Sequence, residues 1–186
     1  MSRERIPLPK VHFWDDAERL AHSAWESLSL EPPAELRRVA KKLGIDLYFE
    51  PFVEEIDGFY LLMPGAPPVV AVNSSYLKPL GRQRFTAAHE IGHHLLRPRP
   101  PKGQSRLFFV DGADTRTTML ERACDRFAAL LLMPESVVRR WFEELTANPE
   151  NRVAIIAERF GVSPTAARMR LKELGLPYHA YRYRRR

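Results

Sequence analysis

Apolar residues recur at three- and four-residue steps near the start of the chain: Trp14, Leu20 and Ala21, Ala24 and Trp25, Leu28. That period puts them on one side of a helix over residues 14–28. Pro32-Pro33 opens a second helix that runs through Leu43, and Gly44 stops it. Three short strand candidates follow, at 45–49, 58–63 and 69–73, and the turn Pro64-Gly65-Ala66-Pro67-Pro68 joins the last two as a hairpin. Helical spacing returns with Ile91, Leu95 and Leu96, after a helix-compatible run from Arg82 to Ala88, and Pro98 and Pro100 end that helix. A further core-facing stripe runs Leu120, Ala123 and Cys124, Phe127, Leu130 and Leu131. The connection between these two helices, 97–118, is long and rich in proline, glycine and charge, and loops of this length tend to be functional or mobile. Inside it, Leu107-Phe108-Phe109-Val110 reads as a short strand, a substrate-facing lip or a buried anchor for the loop, with the anchor preferred.

The first of those two helices carries the chemistry. His89-Glu90-Ile91-Gly92-His93 sets two imidazoles four residues apart, on one helix face, with Glu90 beside them. Two such imidazoles can grip one metal ion, and H-E-x-x-H is the arrangement of zinc peptidases, with two ligands and a general base. Hydrolytic zinc usually takes three protein ligands and leaves a fourth position to water. Glu121 is the best candidate for the third. Glu121 and Asp125 stand four residues apart beside a buried stripe, and two acids there need partners. A metal would satisfy Glu121, and a ligand imidazole N–H would satisfy Asp125. Asp111, Asp114 and Cys124 compete for the third place, although Cys124 suits a small buried position. Pairing with Arg122 or Arg126 is the other use for Glu121. His94 points about 100° away from His93 around the helix and is left out of the ligand set. A second oxyanion donor is expected, and Tyr60, Tyr76 and His179 are candidates that no sequence signal separates. Helix, small sheet, metal helix and third-ligand helix together predict an α+β, minimal zincin-like peptidase fold.

Two longer phrases carry a family resemblance. Arg84-Phe85-Thr86-Ala87-Ala88-His89-Glu90-Ile91-Gly92-His93 and Phe127-Ala128-Ala129-Leu130-Leu131-Leu132-Met133-Pro134 resemble the ImmA/IrrE family of metallo-endopeptidases. Val70-Ala71-Val72-Asn73 is similar to the strand that family places before its metal helix. The resemblance covers roughly residues 30–176. It implies His89, His93 and Glu121 as ligands of zinc, with another divalent metal such as Mn2+ an alternative in the cell, and Glu90 as the catalytic residue. The spacing Glu121-x-x-x-Asp125 is similar to the wider gluzincin pattern. Asp125 stands where many relatives have Asn, and either side chain can accept from an imidazole N–H. The resemblance also implies the substrate: a helix-turn-helix repressor of stress-response or mobile-element genes, cut to release transcription.

Composition and charge add the organisation. The chain has 186 residues, 45% hydrophobic and 28% charged, which suits one globular domain or one domain with a small appendage. No apolar run approaches the about 20 residues of a membrane span, so no membrane partner is expected. Met1-Ser2-Arg3-Glu4-Arg5-Ile6-Pro7 lacks a signal peptide's apolar segment, and the single cysteine suits a reducing compartment, so a cytoplasmic location is expected. The net charge of +6 is unevenly placed: residues 1–145 hold 20 basic and 20 acidic residues, and residues 146–186 hold nine and three. The expected division is a zincin-like metallopeptidase domain at 1–145, a helix-turn-helix-like module at 146–176 and a basic tail at 177–186.

In that module, helices at 152–160 and 163–174 flank Gly161-Val162, with Ser163 as N-cap, Pro164 at the first helical position and Gly175 at the end. Ala157, Gly161, Val162 and Ala167 fill the small and apolar positions of a helix-turn-helix. Its second helix is expected to present Thr165, Arg168, Arg170 and Lys172 to DNA or a protein partner, with Tyr178, Tyr181, Tyr183 and Arg182, Arg184, Arg185 and Arg186 behind them. A metal-dependent DNA-binding regulator is therefore the alternative function. A helical pair docked on the catalytic domain, with a solvated tail, is the plainer use of the same residues.

Overall fold

The computed structural model describes residues 13–52, 55–96, 107–111, 118–145 and 151–178. Within them the order is α1 (Phe13–Leu28), α2 (Leu36–Lys42), β1 (Asp46–Glu50), β2 (Gly58–Leu62), β3 (Val69–Asn73), α3 (Leu80–Leu96), β4 (Leu107–Asp111), α4 (Met119–Leu132), α5 (Glu135–Glu144), α6 (Arg152–Phe160) and α7 (Pro164–Glu173). The layout is α+β, as the sequence predicts. None of the described helices is long and apolar enough to cross a membrane. Asp114, His179 and the arginines of the tail lie outside the described residues.

The strands form one sheet in the order β1-β3-β2-β4. β2 and β3 make the expected antiparallel hairpin, with Gly65 at φ +74 supplying a left-handed residue in the turn. β1 lies parallel to β3, from Asp46 beside Val69 to Glu50 beside Asn73. The segment read as a strand, a lip or a buried anchor is a strand. β4 ladders antiparallel to β2, from Gly58 beside Asp111 to Leu62 beside Leu107. Leu-Phe-Phe-Val has no polar alternation, so periodicity could not announce a strand whose partner lies nearly fifty residues earlier. Helix α2 starts at Leu36, with Glu35 as its N-cap residue, later than Pro32-Pro33 suggests.

Helix α3 runs between the sheet and a helical layer of α1 and α4, and every residue from Thr86 to His93 is buried. Gly92 sets how closely α3 meets α4. A β-carbon there would lie 3.2 Å from Cys124 Cα and 3.3 Å from Phe127 Cδ1. Trp25 of α1 ties the layer together by donating its indole N–H to the Leu131 carbonyl at 2.8 Å. Helix α5 was not anticipated from the sequence, although Val138 and Phe142, one turn apart, are its buried residues.

Helices α6 and α7 share the main core through Ile156, Phe160, Ala167 and Leu171. Their connecting turn rests on α3: a β-carbon at Gly81 would stand 2.7 Å from Ser163 N and 2.8 Å from the Val162 carbonyl carbon. Arg84, next to Gly161, donates to the Ala34 carbonyl at 2.8 Å. Thr165, Arg168 and Lys172 are exposed, as expected. Arg170 is not. It is 3% exposed and donates from Nε to the Met133 carbonyl at 3.0 Å. Its position beside Leu171 and three residues after Ala167 turns it toward the body, where it satisfies a carbonyl at the end of α4.

Candidate metal centre

The centre is built where α3 crosses α4. His89 and His93 lie one turn apart on α3, and their Nε2 atoms are 3.1 Å from each other. Glu121 enters from the first turn of α4, whose N-cap, Thr118, accepts from the Glu121 backbone N–H at 3.2 Å. Its Oε2 is 3.1 Å from His89 Nε2 and its Oε1 is 3.4 Å from His93 Nε2. Burial pushes the Glu121 carboxyl up, but hydrogen bonds with His89 and His93 outweigh it and hold the group at about 2. Asp125, one turn further along α4, sits 2.9 Å from His89 Nδ1. That contact holds a proton on Nδ1, so Nε2 is the nitrogen that faces His93 and Glu121 and that a metal would take.

The donor set fits a small divalent ion. Tetrahedral zinc at about 2.0–2.1 Å from each ligand requires ligand atoms about 3.3 Å apart. Here the two Nε2 atoms are 3.1 Å apart, Glu121 Oε2 is 3.1 Å from His89 Nε2, and Glu121 Oε1 is 3.4 Å from His93 Nε2. Two imidazoles and an ionised carboxylate, all buried, are also the ligand classes zinc accepts. Cys124 remains a close neighbour, with ligand atoms of His89, His93 and Cys124 all within 4.8 Å of one another. Glu121, at 3.1 and 3.4 Å from the two imidazoles, and Cys124 are thus both placed to complete a three-donor set. Of the other competitors, Asp111 contributes backbone to β4, and nothing is described of Asp114.

Glu90 is fully buried on the side of α3 that meets β2. Gly58 makes that approach workable: a β-carbon there would lie 2.4 Å from Thr86 Cγ2 and 3.6 Å from Glu90 Cγ. Tyr60 is also buried, with its hydroxyl 3.1 Å from His94 Nδ1. Tyr76 is 94% exposed at the β3–α3 connection, so it is not built into the site.

Sequence reading missed the polar brace beside this edge. Asp57 pairs with Lys78 at 2.8 Å and with Arg82 through both carboxylate oxygens. Asn73 donates to the Phe52 and Ile56 carbonyls at 3.2 and 2.8 Å and accepts from Ser75 N, fixing the loop that leads into Gly58. Only Asn73, closing an apolar strand, offered a signal.

Comparison with known proteins gives the family. Over 131 residues, 70% of the chain, the sequence is 34% identical to the radiation response metalloprotease IrrE of Deinococcus radiodurans. The match covers 37% of that relative's length. The family model for the IrrE N-terminal-like domain, a peptidase family, matches residues 40–172, a span that includes α3, α4, the sheet and most of α7. The chain therefore belongs to the peptidase family of IrrE N-terminal-like domains.

Proposed function

We propose that this chain is a zinc-dependent endopeptidase in which His89, His93 and Glu121 hold the metal and Glu90 is the catalytic base. The observation that carries this reading is the convergence of three buried side chains: the two Nε2 atoms are 3.1 Å apart, and Glu121 sets Oε2 3.1 Å from His89 and Oε1 3.4 Å from His93. A bound zinc ion would supply Lewis acidity, acidifying a water and polarising the scissile carbonyl. Glu90 takes the proton from the attacking water and returns one to the leaving amine. Asp125 orients His89 through Nδ1.

The substrate in this reading is a helix-turn-helix repressor whose cleavage releases stress-response or mobile-element genes. The resemblance to the ImmA/IrrE family and the relative's name as a radiation response metalloprotease support it. The reading retains a peptidase unit at 1–145, a helix-turn-helix-like module at 146–176 and a basic tail at 177–186. The test is incubation of the purified protein with the repressor encoded beside its gene, with zinc and with a chelator. Cleavage lost on chelation and in Glu90→Gln is expected, and cleavage that survives either would sink the mechanism.

A second reading, DNA binding, draws on the exposure of Thr165, Arg168 and Lys172. It predicts operator binding with steep salt dependence. Absence of any shift of operator fragments at low salt would remove it.

A further inference from the structure

The metal centre has one more donor within reach than a hydrolytic zinc site uses. Cys124, the single cysteine of the chain, is fully buried about one turn after Glu121 on α4. Its sulfur and one nitrogen from each of His89 and His93 all lie within 4.8 Å of one another. Gly92, which stands between the two histidines on α3, makes room for it: a β-carbon at 92 would lie 3.3 Å from Cys124 Cβ. Helix α4 thus offers the same pair of imidazoles two partners of different chemistry, a carboxylate from Glu121 and a thiol from Cys124.

Those two partners sort metal ions. Carboxylate oxygen is a hard ligand, thiolate sulfur is a soft one, and soft thiolates select Cu(I). Two imidazoles and one thiolate are also the three-coordinate set of copper sites. Bonds of about 2.0–2.1 Å to nitrogen and 2.3 Å to sulfur set nitrogen and sulfur about 3.6–3.8 Å apart, so the three ligand atoms need close by at most about 1.2 Å. Rotation of Cys124 about its one side-chain torsion supplies such a movement. A single ion needs an entry path and no exposed surface, and Asp125, whose side chain is 36% exposed and touches His89, borders that path. We propose that His89, His93 and Cys124 bind a cuprous ion, a second use of the two imidazoles that excludes zinc while the copper stays. As the Cu–S bond forms, the S–H bond breaks and its proton passes to solvent. Copper remains cuprous throughout, so no electron moves. The consequence for hydrolysis rests on the zinc-peptidase reading: copper on both imidazoles denies zinc two of its three ligands and holds the enzyme inactive.

The experiment titrates the metal-free full chain, without oxygen, with cuprous ion against a chromophoric cuprous chelator, and in parallel with zinc against a zinc chelator. One cuprous ion per chain is expected, with sulfur in its first shell by X-ray absorption. Losing an outer hydrogen-bond partner of a metal ligand costs about 10–100-fold, so losing a direct ligand in Cys124→Ser should weaken cuprous binding by about a hundredfold or more. Zinc affinity should stay as it was in that variant, which also shows that it folds. Glu121→Gln should do the reverse, losing zinc and keeping copper. If Cys124→Ser fails to fold, Cys124→Ala and the sulfur signal of the unaltered chain decide. Unchanged cuprous affinity in the folded cysteine variant, equal loss of both metals, no cuprous binding, or a copper shell without sulfur would each overturn the proposal. Zinc affinity unchanged in Glu121→Gln, with copper lost in Cys124→Ser, would instead sink the zinc ligand set and leave the copper site standing.

Discussion

Replacing Gly92 by alanine tests whether the spacing of α3 and α4 tunes the metal centre. The added methyl would meet Cys124 Cα at 3.2 Å, Cys124 Cβ at 3.3 Å and Phe127 Cδ1 at 3.3 Å. Carbon pairs are comfortable at about 3.5–4.0 Å, so each neighbour must retreat by a few tenths of an ångström. The phenyl ring can rotate, but Cys124 Cα is backbone, so α4 itself has to move. Overpacking of this kind costs about 1–3 kcal/mol. Alanine returns about 0.8–1.0 kcal/mol over glycine inside a helix. The metal-free protein should therefore lose between nothing and about 2 kcal/mol. The metal centre has less tolerance. Glu121 lies one turn before Cys124 on the moving helix, and its oxygens stand 3.1 and 3.4 Å from the two imidazoles. Metal–ligand distances are held to about ±0.2 Å, so a shift of a few tenths falls outside the working range. Zinc affinity is expected to fall by at least about tenfold, or about 1.4 kcal/mol. Competition with a chromophoric chelator measures that loss, and urea unfolding of the metal-free protein measures the stability term. Unchanged zinc affinity, with metal-free stability equal or higher, would refute the argument that helix spacing sets the ligand triangle.

Further outcomes follow from the same geometry. Asp125→Ala should weaken zinc binding by about 10–100-fold, whereas Asp125→Asn keeps an oxygen for the His89 N–H and should lose much less. Equal losses in the two variants, measured by the same titration, would remove the orienting role. For Asp57, burial raises the carboxyl, but Arg82 and Lys78 outweigh it and hold it below its ordinary value. A depressed folded-state value gives stability that is present above the unfolded carboxylate value of about 3.9 and lost as pH falls through the lower folded one. Asp57→Asn should cost about 2–4 kcal/mol near neutrality and make urea midpoints less sensitive to acid below about pH 4. Parallel acid profiles for the two proteins would show that Asp57 does not contribute this dependence.

The sequence alone determined the features that are local. A helical period and a four-residue spacing suffice to put His89 and His93 on one face, because both follow from the turn of a single helix. Ser163 and Pro164 likewise announce the start of α7, and the structure shows Ser163 Oγ accepting from Ala166 N at 3.1 Å. Glu121 and Asp125 were legible because acids beside an apolar stripe need partners. Their approach to His89 depends on how α3 and α4 cross, which no pattern within either helix encodes.

Tertiary structure decided the rest. β4 became a strand through a ladder to β2, although its own residues do not alternate. Arg170 turned inward because the end of α4 presents a carbonyl there, although arginine on a short helix reads as a surface residue. Gly58, Gly81 and Gly92 look alike in the sequence. Each matters because another segment passes within contact distance of where its β-carbon would be, and such an approach exists only between elements already packed. Spacing put His89, Glu90 and His93 on one helix, and the packing of α3 against α4 brought Glu121 within 3.1 and 3.4 Å of the two imidazoles.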